Sequence, residues 1–341
     1  VKILILKPSS LGDVLQALPV LRLLKQHWPK AEIYWWIDSA LAPLLEGDPD
    51  LAGVVPFQRR RWRRPRHWPE IWQSIRWVRS QQFDLVIDLQ CLARSAIFGW
   101  LANGERLLGL DEVREGARGF YDAVTPRASY HTHAVDWYLS VLPGLGVPVH
   151  ARFEWLPPRP AVAAEIERKW PGPARWIILQ PGARWANKRW PVEYFSDLVR
   201  RLAQDHPQHR FAILGGEGDR LLGDIICSST PEVCLNLCGQ TSLLEMVEWI
   251  RRSDLMITND TGPMHAAAAL GKRVVALFGP TEPRRTGPYG QLEHVLRVEL
   301  PCAPCMKSRC TNVQPEECLR ALTPAQVQTA VPTDHAASPG Q

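Results

Sequence analysis

Residues 1–24 read VKILILKPSSLGDVLQALPVLRLL, and this stretch decides the fold. Val1 to Lys7 is a short apolar run that stops at Pro8, the pattern of a strand followed by a loop. From Val14 the apolar positions Val14, Leu18, Leu21 and Leu24 fall at helical spacing and end near His27-Trp28-Pro29. Between strand and helix lies the polar loop Pro8-Ser9-Ser10-Leu11-Gly12-Asp13. A strand, a polar loop and a helix together form the opening unit of a parallel sheet with crossover connections.

The unit recurs along the chain. Glu32 to Ile37 (EIYWWI) reads as a second strand and Phe83 to Leu89 (FDLVIDL) as a third. Between them Pro69 to Ser80 is helical, with Ile71, Ile75 and Val78 on one face, and a further helix runs from Ala93 to Leu101. Leu156-Pro157-Pro158-Arg159-Pro160 has the stiff composition of a linker. Beyond it the alternation restarts with Trp176 to Gln180 and a helix over Val192 to His206. Phe211 to Leu214 then runs into Gly215-Gly216. Leu255 to Thr258 runs into Asn259-Asp260-Thr261-Gly262 and an Ala-rich helix over Ala266 to Leu270. Val274 to Phe278 runs into Gly279-Pro280-Thr281. The expected architecture is α/β with two similar doubly wound halves, residues 1–156 and 161–331, and a frayed tail from Pro332 to Gln341.

Composition agrees with that class. The 341 residues are 45% apolar and 22% charged, which excludes collagen-like, disordered and disulfide-scaffold chains. No run approaches the roughly 18 apolar residues of a membrane-spanning helix, and the chain opens on a strand with no basic leader, so no secretory segment is expected. The net charge of +5 is too mild to imply nucleic acid. The positive charge is concentrated locally in Arg59, Arg60, Arg61, Arg63, Arg64 and Arg66, interleaved with Trp62 and followed by Trp68. No nucleic-acid recognition module accompanies that patch, and a solvated charge run is its plainest alternative. Most of the fifteen tryptophans, Trp35 and Trp36 among them, read as packing residues.

In open parallel sheets ligands bind beyond the carboxyl ends of the strands, and four constellations lie there. Asp13, at the end of the first loop, is either the cap of a helix beginning at Val14 or a general base. Thr261 and Gly262 open a helix whose free N–H groups suit a phosphate or simply form an ordinary capped helix start, with His265 as a further donor or a plain polar residue of the first turn. The loop Pro181 to Pro191 carries Lys188 and arginines suited to phosphate oxygens, or to plain solvation. Gly215-Gly216-Glu217-Gly218-Asp219 is neither GxGxxG nor a P-loop, which speaks against a dinucleotide enzyme and a P-loop NTPase.

Together these motifs resemble the heptosyltransferase family of bacterial glycosyltransferases (glycosyltransferase family 9), which builds the inner core of lipopolysaccharide. The matching stretches are KPSSLGDVLQALPVL, DLVIDLQ with Arg94-Ser95, PGARWANKRWP, LGGEGD, GQTSLLE, NDTGPMHAAAALGKRVVALFGPTEP and the cysteine-bearing end. The resemblance implies a GT-B architecture, with two Rossmann-like domains facing each other across a cleft, the first binding acceptor and the second donor. It implies inverting transfer of heptose from ADP-heptose, with no metal or other cofactor required. Asp13 would be the base, with Ser10 and Gly12 beside it on the acceptor side. Lys188, Glu217, Asp260, Thr261, Gly262 and His265 would bind the donor, with Thr241 near the adenosine. Arg60, Arg61 and Arg63 would hold an acidic glycolipid acceptor and lean on the inner-membrane surface, which places the enzyme in the cytoplasm, peripheral to the inner face of that membrane. Nucleic acid is not an expected partner. The alternatives are a family 9 transferase for another nucleotide sugar or acceptor, and a sugar-nucleotide-binding protein without transfer activity.

The scattered cysteines Cys91, Cys227, Cys234 and Cys238 read as reduced thiols. Cys302, Cys305, Cys310 and Cys318 have the spacing C-x2-C-x4-C-x7-C. Structural zinc there ranks behind reduced or disulfide-linked thiols, since a second CxxC is missing.

Overall fold

The structure, a computed structural model, describes residues 1–111, 115–171 and 175–331; the expected fraying of Pro332 to Gln341 concerns residues outside these. The chain divides into two compact units, one over Val1–Pro157 and a second beginning at Pro158.

The first unit holds six parallel strands: β1 (Lys2–Leu6), β2 (Glu32–Asp38), β3 (Gly53–Phe57), β4 (Leu85–Asp88), β5 (Arg106–Leu110) and β6 (Ala123–Thr125). Their order is β3-β2-β1-β4-β5-β6. Its main helices are α1 (Leu11–His27), α2 (Trp68–Ser80), α3 (Ala93–Ala102) and α4 (Ala134–Leu139). The second unit repeats the plan with β7 (Arg175–Gln180), β8 (His209–Ile213), β9 (Cys234–Asn236), β10 (Leu255–Asn259), β11 (Arg273–Leu277) and β12 (Val295–Leu296). Their order is β12-β11-β10-β7-β8-β9, which is the same winding read from its other edge. Helices α5 (Pro160–Lys169), α6 (Val192–Asp205), α7 (Arg220–Cys227), α8 (Leu243–Arg252) and α9 (Gly262–Ala269) cover that sheet.

In each unit the first and fourth strands are neighbours, β1 with β4 and β7 with β10, and the connections leave them in opposite directions. The crevice at this switch point is where ligands bind in doubly wound sheets. The central strands are apolar on both faces because helices cover both: Ile3 to Leu6 and Met256 to Ile257 are fully buried.

Three readings from the sequence are corrected here. Gly53–Phe57 forms a strand, so Phe83 to Leu89 contains the fourth strand of the unit and not the third. Pro56 hid it; as an edge strand, β3 tolerates a residue with no N–H. Helix α1 begins at Leu11, three residues earlier than its apolar spacing indicates, and α9 begins at Gly262, not Ala266. Met264 and His265 are therefore helical.

Candidate active site

In the first unit the loop after β1 ends at Ser10, the residue that caps α1. Asp13 is not the cap. It sits in the first helical turn, and its Oδ2 accepts hydrogen bonds from the Ser10 backbone N–H (2.8 Å) and the Ser10 hydroxyl (2.6 Å). The carboxylate is thus fixed in direction beside the positive end of the helix, which favours its charged form. Gly12 is buried in the same turn.

Behind this turn lies a cation missed in the sequence. Lys7, at the end of β1, is 3% exposed. Its Nζ donates to the Leu89 carbonyl (2.8 Å) and stands 4.5 Å from the Tyr138 ring centre, joining the ends of β1 and β4. Burial works against its charge, but Tyr138 and Asp13 outweigh that and raise its pKa. Asp88, fully buried at the end of β4, accepts from the Gln90 and Cys91 N–H groups and from the Tyr121 hydroxyl. Burial pushes its carboxyl pKa up against these hydrogen bonds.

The arginine run lines an open pocket of about 680 Å³ formed by Asp38, Ser39, Ala40, Gln58, Arg59, Arg60, Arg61 and Arg63. Arg60 and Arg63 are among its lining residues. Arg61 is already committed, its Nη2 lying 2.5 Å from Glu70 Oε1. Arg94, quoted in the motifs but given no role, belongs to the same cluster: burial, then Arg59 and Arg63, depress its pKa, and its guanidinium lies over Phe57. A cation destabilised by other cations is suited to receive an anion.

In the second unit the switch point is stitched by Asn259, whose Nδ2 donates to the Pro181 carbonyl (2.7 Å) and whose Oδ1 accepts from the Trp190 N–H (3.1 Å). This draws the loop after β7 against the end of β10. Lys188 and Asp260 are consequently paired at 2.6 Å, with side chains 17% and 7% exposed. Asp260 Oδ2 also accepts from the Thr281 hydroxyl (2.6 Å), and Lys188 lies 4.7 Å from the Trp185 ring centre. The lysine is therefore held between a carboxylate and an indole ring, with its charge near the surface.

Beside this pair is a pocket of about 440 Å³ whose lining includes Gly182, Arg184, Arg189, Asp219, Thr241 and Thr261. Thr241 and Thr261 both line this pocket, and Gly262 begins the helix that Thr261 caps. His265 is buried one turn in. The Glu217 side chain is 76% exposed. The acidic wall of the pocket is Asp219, held by the Gly216 N–H (3.0 Å). Gly182 is required by this packing: a Cβ there would lie 2.4 Å from Asp219 Oδ2.

The four C-terminal cysteines are free thiols, and burial, then Cys310, Cys302 and Cys305, push the Cys318 thiol up to about 11. Among the described residues no three metal-capable side chains form a cluster that could hold an ion. Their segment still meets the site, because Asn187 Nδ2 donates to the Lys307 carbonyl (2.9 Å) next to Lys188.

Two doubly wound sheets, one with a helix-start carboxylate and one with a cationic, phosphate-suited pocket, are the parts of a GT-B glycosyltransferase. The chain belongs to glycosyltransferase family 9 (heptosyltransferase), whose family model matches residues 71–314. It is 28% identical to lipopolysaccharide heptosyltransferase 1 of Pseudomonas aeruginosa over 96% of both chains. Its fold is similar to that of E. coli ADP-heptose LPS heptosyltransferase II (TM-score 0.78, 23% identity, 97% of each chain). It is also similar to E. coli heptosyltransferase WaaC solved with ADP-2-deoxy-2-fluoro heptose (TM-score 0.77, 23% identity, 96% of this chain and 98% of that one). The enzyme is a glycosyltransferase.

Proposed function

We propose that the enzyme is an inverting, metal-independent heptosyltransferase that moves a heptose from ADP-heptose to an acidic glycolipid acceptor of the lipopolysaccharide inner core. In this reading it works at the cytoplasmic face of the inner membrane, with residues 1–156 binding acceptor and 161–331 binding donor. The observation that carries it is the Lys188–Asp260–Thr281 set beside the 440 Å³ pocket at the switch point of the second unit. The Pseudomonas relative's name and the ADP-heptose analogue on WaaC support the choice of donor.

Asp13 accepts the proton of the acceptor hydroxyl as that oxygen attacks the anomeric carbon on the face opposite the diphosphate. The new C–O bond forms as the bond to the β-phosphate oxygen breaks, through an oxocarbenium-like state, and ADP departs with the bonding electrons. Charge grows on the leaving oxygens, where Lys188 and the N–H groups at the start of α9 stabilise it in the role a divalent ion plays elsewhere. Asp260, pinned by Thr281, keeps Lys188 in place. Thr241 lines the adenosine side, and Glu217, which is exposed, and His265 serve the donor as second-rank contacts. Arg60 and Arg63, with Arg59 and Arg94, receive the acceptor's phosphates or carboxylates, and Ser10 and Gly12 shape the entry beside Asp13.

The test is transfer from a panel of ADP- and UDP-sugars to deacylated inner-core acceptors, with wild type and Asp13→Asn. Wild type should favour ADP-heptose. The variant keeps a side-chain oxygen to accept from Ser10 but loses the basic site, so kcat should fall by ~10²–10⁴-fold while ADP affinity stays unchanged. A preference for UDP-sugars would remove the donor assignment, and an undiminished rate would remove Asp13 as base.

A further inference from the structure

Of the fifteen tryptophans, the four that are exposed all lie on two neighbouring helices of the first unit: Trp68, Trp72 and Trp77 on α2 and Trp100 on α3. Trp72 and Trp100 are each 59% exposed and Trp68 is 54% exposed. The two helices pack on one core, which α2 enters with Ile75 and Val78 and α3 with Phe98 and Ala102. On α2 the exposed residues Trp68, Trp72, Arg76 and Arg79 form one row that flanks the buried stripe of Ile75 and Val78; on α3 the exposed row is Arg94, Ile97 and Trp100.

The charge on this face has one sign. From Arg59 to Ser80 the chain carries eight arginines and no lysine, and its single carboxylate, Glu70, is occupied by Arg61 and His67. A helix face meant for water does not expose aromatic rings at successive turns. Trp77 lines a groove with Pro56 and Trp62, whereas Trp68, Trp72 and Trp100 are the more exposed rings, spread over two helices, which suits a soft, extended partner. Indole rings with flanking guanidinium groups match the interface of an anionic bilayer: rings at headgroup depth, guanidinium groups on the phosphates.

We propose that the outward face of α2 and α3 docks on an anionic lipid bilayer, with Trp68, Trp72 and Trp100 entering the headgroup region and Arg76 and Arg79 meeting lipid phosphates. The proposal rests, for its purpose, on the reading of the acceptor as a membrane glycolipid. The arginine loop of the acceptor pocket runs directly into α2, so docking through this face brings that pocket to the plane in which lipid-borne head groups lie.

The experiment is flotation of the full chain with two vesicle types, phosphatidylcholine alone and phosphatidylcholine with about one third phosphatidylglycerol, neither containing acceptor. Wild type should float with the anionic vesicles only, and salt should release it. Trp68→Ser/Trp72→Ser should weaken that binding about tenfold or more. Arg76→Gln/Arg79→Gln should weaken it about 30-fold at low ionic strength, from ~1 kcal/mol per arginine. Leu221→Ser, at an exposed leucine of the second unit, should bind like wild type. All four residues replaced in the pairs are surface residues, and each variant should transfer sugar to a deacylated, soluble acceptor at the wild-type rate. Wild type that stays unbound, or tryptophan variants that float like wild type, would overturn the docking face. So would wild type that binds a nucleic-acid duplex or self-associates through these tryptophans while ignoring vesicles. Vesicles without acceptor separate this outcome from the transferase reading: docking with no transfer would refute only the latter, and transfer with no docking only the former.

Discussion

Lys188→Ala is the perturbation that best separates a binding role from a structural one. Lys188 and Asp260 are 2.6 Å apart and mostly buried. Removing the lysine leaves the Asp260 carboxylate, 7% exposed, facing the Thr281 hydroxyl without its cation. Breaking a fully buried ion pair costs ~3–5 kcal/mol; with the lysine partly solvated, about 2 kcal/mol is expected, a drop in Tm of roughly 4–8 °C for a unit of this size. The functional loss adds to this. A unit charge about 4 Å from a diphosphate oxygen contributes ~4 kcal/mol at an effective dielectric of 20. In an open pocket some 2–3 kcal/mol of that survives screening, or about 30–150-fold in kcat/KM for ADP-heptose. Lys188→Ala/Asp260→Asn separates the two effects. It removes the stranded carboxylate, so Tm should return to within a degree or two of wild type, while turnover stays low. The assay is thermal unfolding without ligand alongside initial rates of transfer over a range of donor concentrations. A double variant with wild-type stability and kcat/KM within about twofold of wild type would refute the reasoning.

Two further outcomes follow from the packing. Gly182→Ala places a methyl group 2.4 Å from Asp219 Oδ2, so KM for the donor should rise in the wild-type background but not in an Asp219→Ala background, where the clash is gone; equal effects in both would exclude a steric cause. Glu282 is held at about pH 2 chiefly by its hydrogen bonds from Arg284. Since its folded pKa lies below the ordinary carboxylate value of ~4.3, its contribution is complete above that pH and is lost as pH falls toward 2. Arg284→Met should therefore flatten acid unfolding in that window and leave stability at pH 7 to 8 parallel to wild type in its pH dependence, as read by circular dichroism.

What was legible in the sequence was whatever lies close together along the chain. The βα units at Val1–His27 and Trp176–His206 announce themselves because a two-sided buried strand and a helix follow within thirty residues. The strands that escaped notice are short or interrupted: β6, β9 and β12 have two or three residues, β3 contains Pro56, and β5 contains Gly109, against which the Tyr121 ring packs. Site chemistry divides the same way. Asp13, Thr261 and Gly262 sit in contiguous motifs beside strand ends, whereas Lys7 meets Leu89 across 82 positions and Thr281 meets Asp260 across 21. No local period encodes such pairs; they exist because the sheet order brings β1 to β4 and β10 to β11. In GGEGD the turn at Gly216 directs Asp219 into the pocket and leaves the Glu217 side chain exposed, a matter of backbone geometry and not of residue type.

The two switch points use the same device with different chemistry. In the first unit a side-chain N–H of Lys7 crosses from β1 to the carbonyl after β4; in the second, a side-chain N–H of Asn259 crosses from β10 to the carbonyl after β7. Each bond closes the gap where the winding reverses and no backbone ladder continues past the strand ends. The choice of residue then sets the field. A buried ammonium behind Asp13 favours a carboxylate that stays ionised, ready to take a proton. A neutral amide behind Lys188 and Asp260 adds no charge of its own and leaves the lysine as the dominant cation for a phosphate. Neither bridging residue could replace the other: Asn259 also accepts from the Trp190 N–H through Oδ1, which an ammonium cannot do, and an amide at position 7 would put no charge behind Asp13.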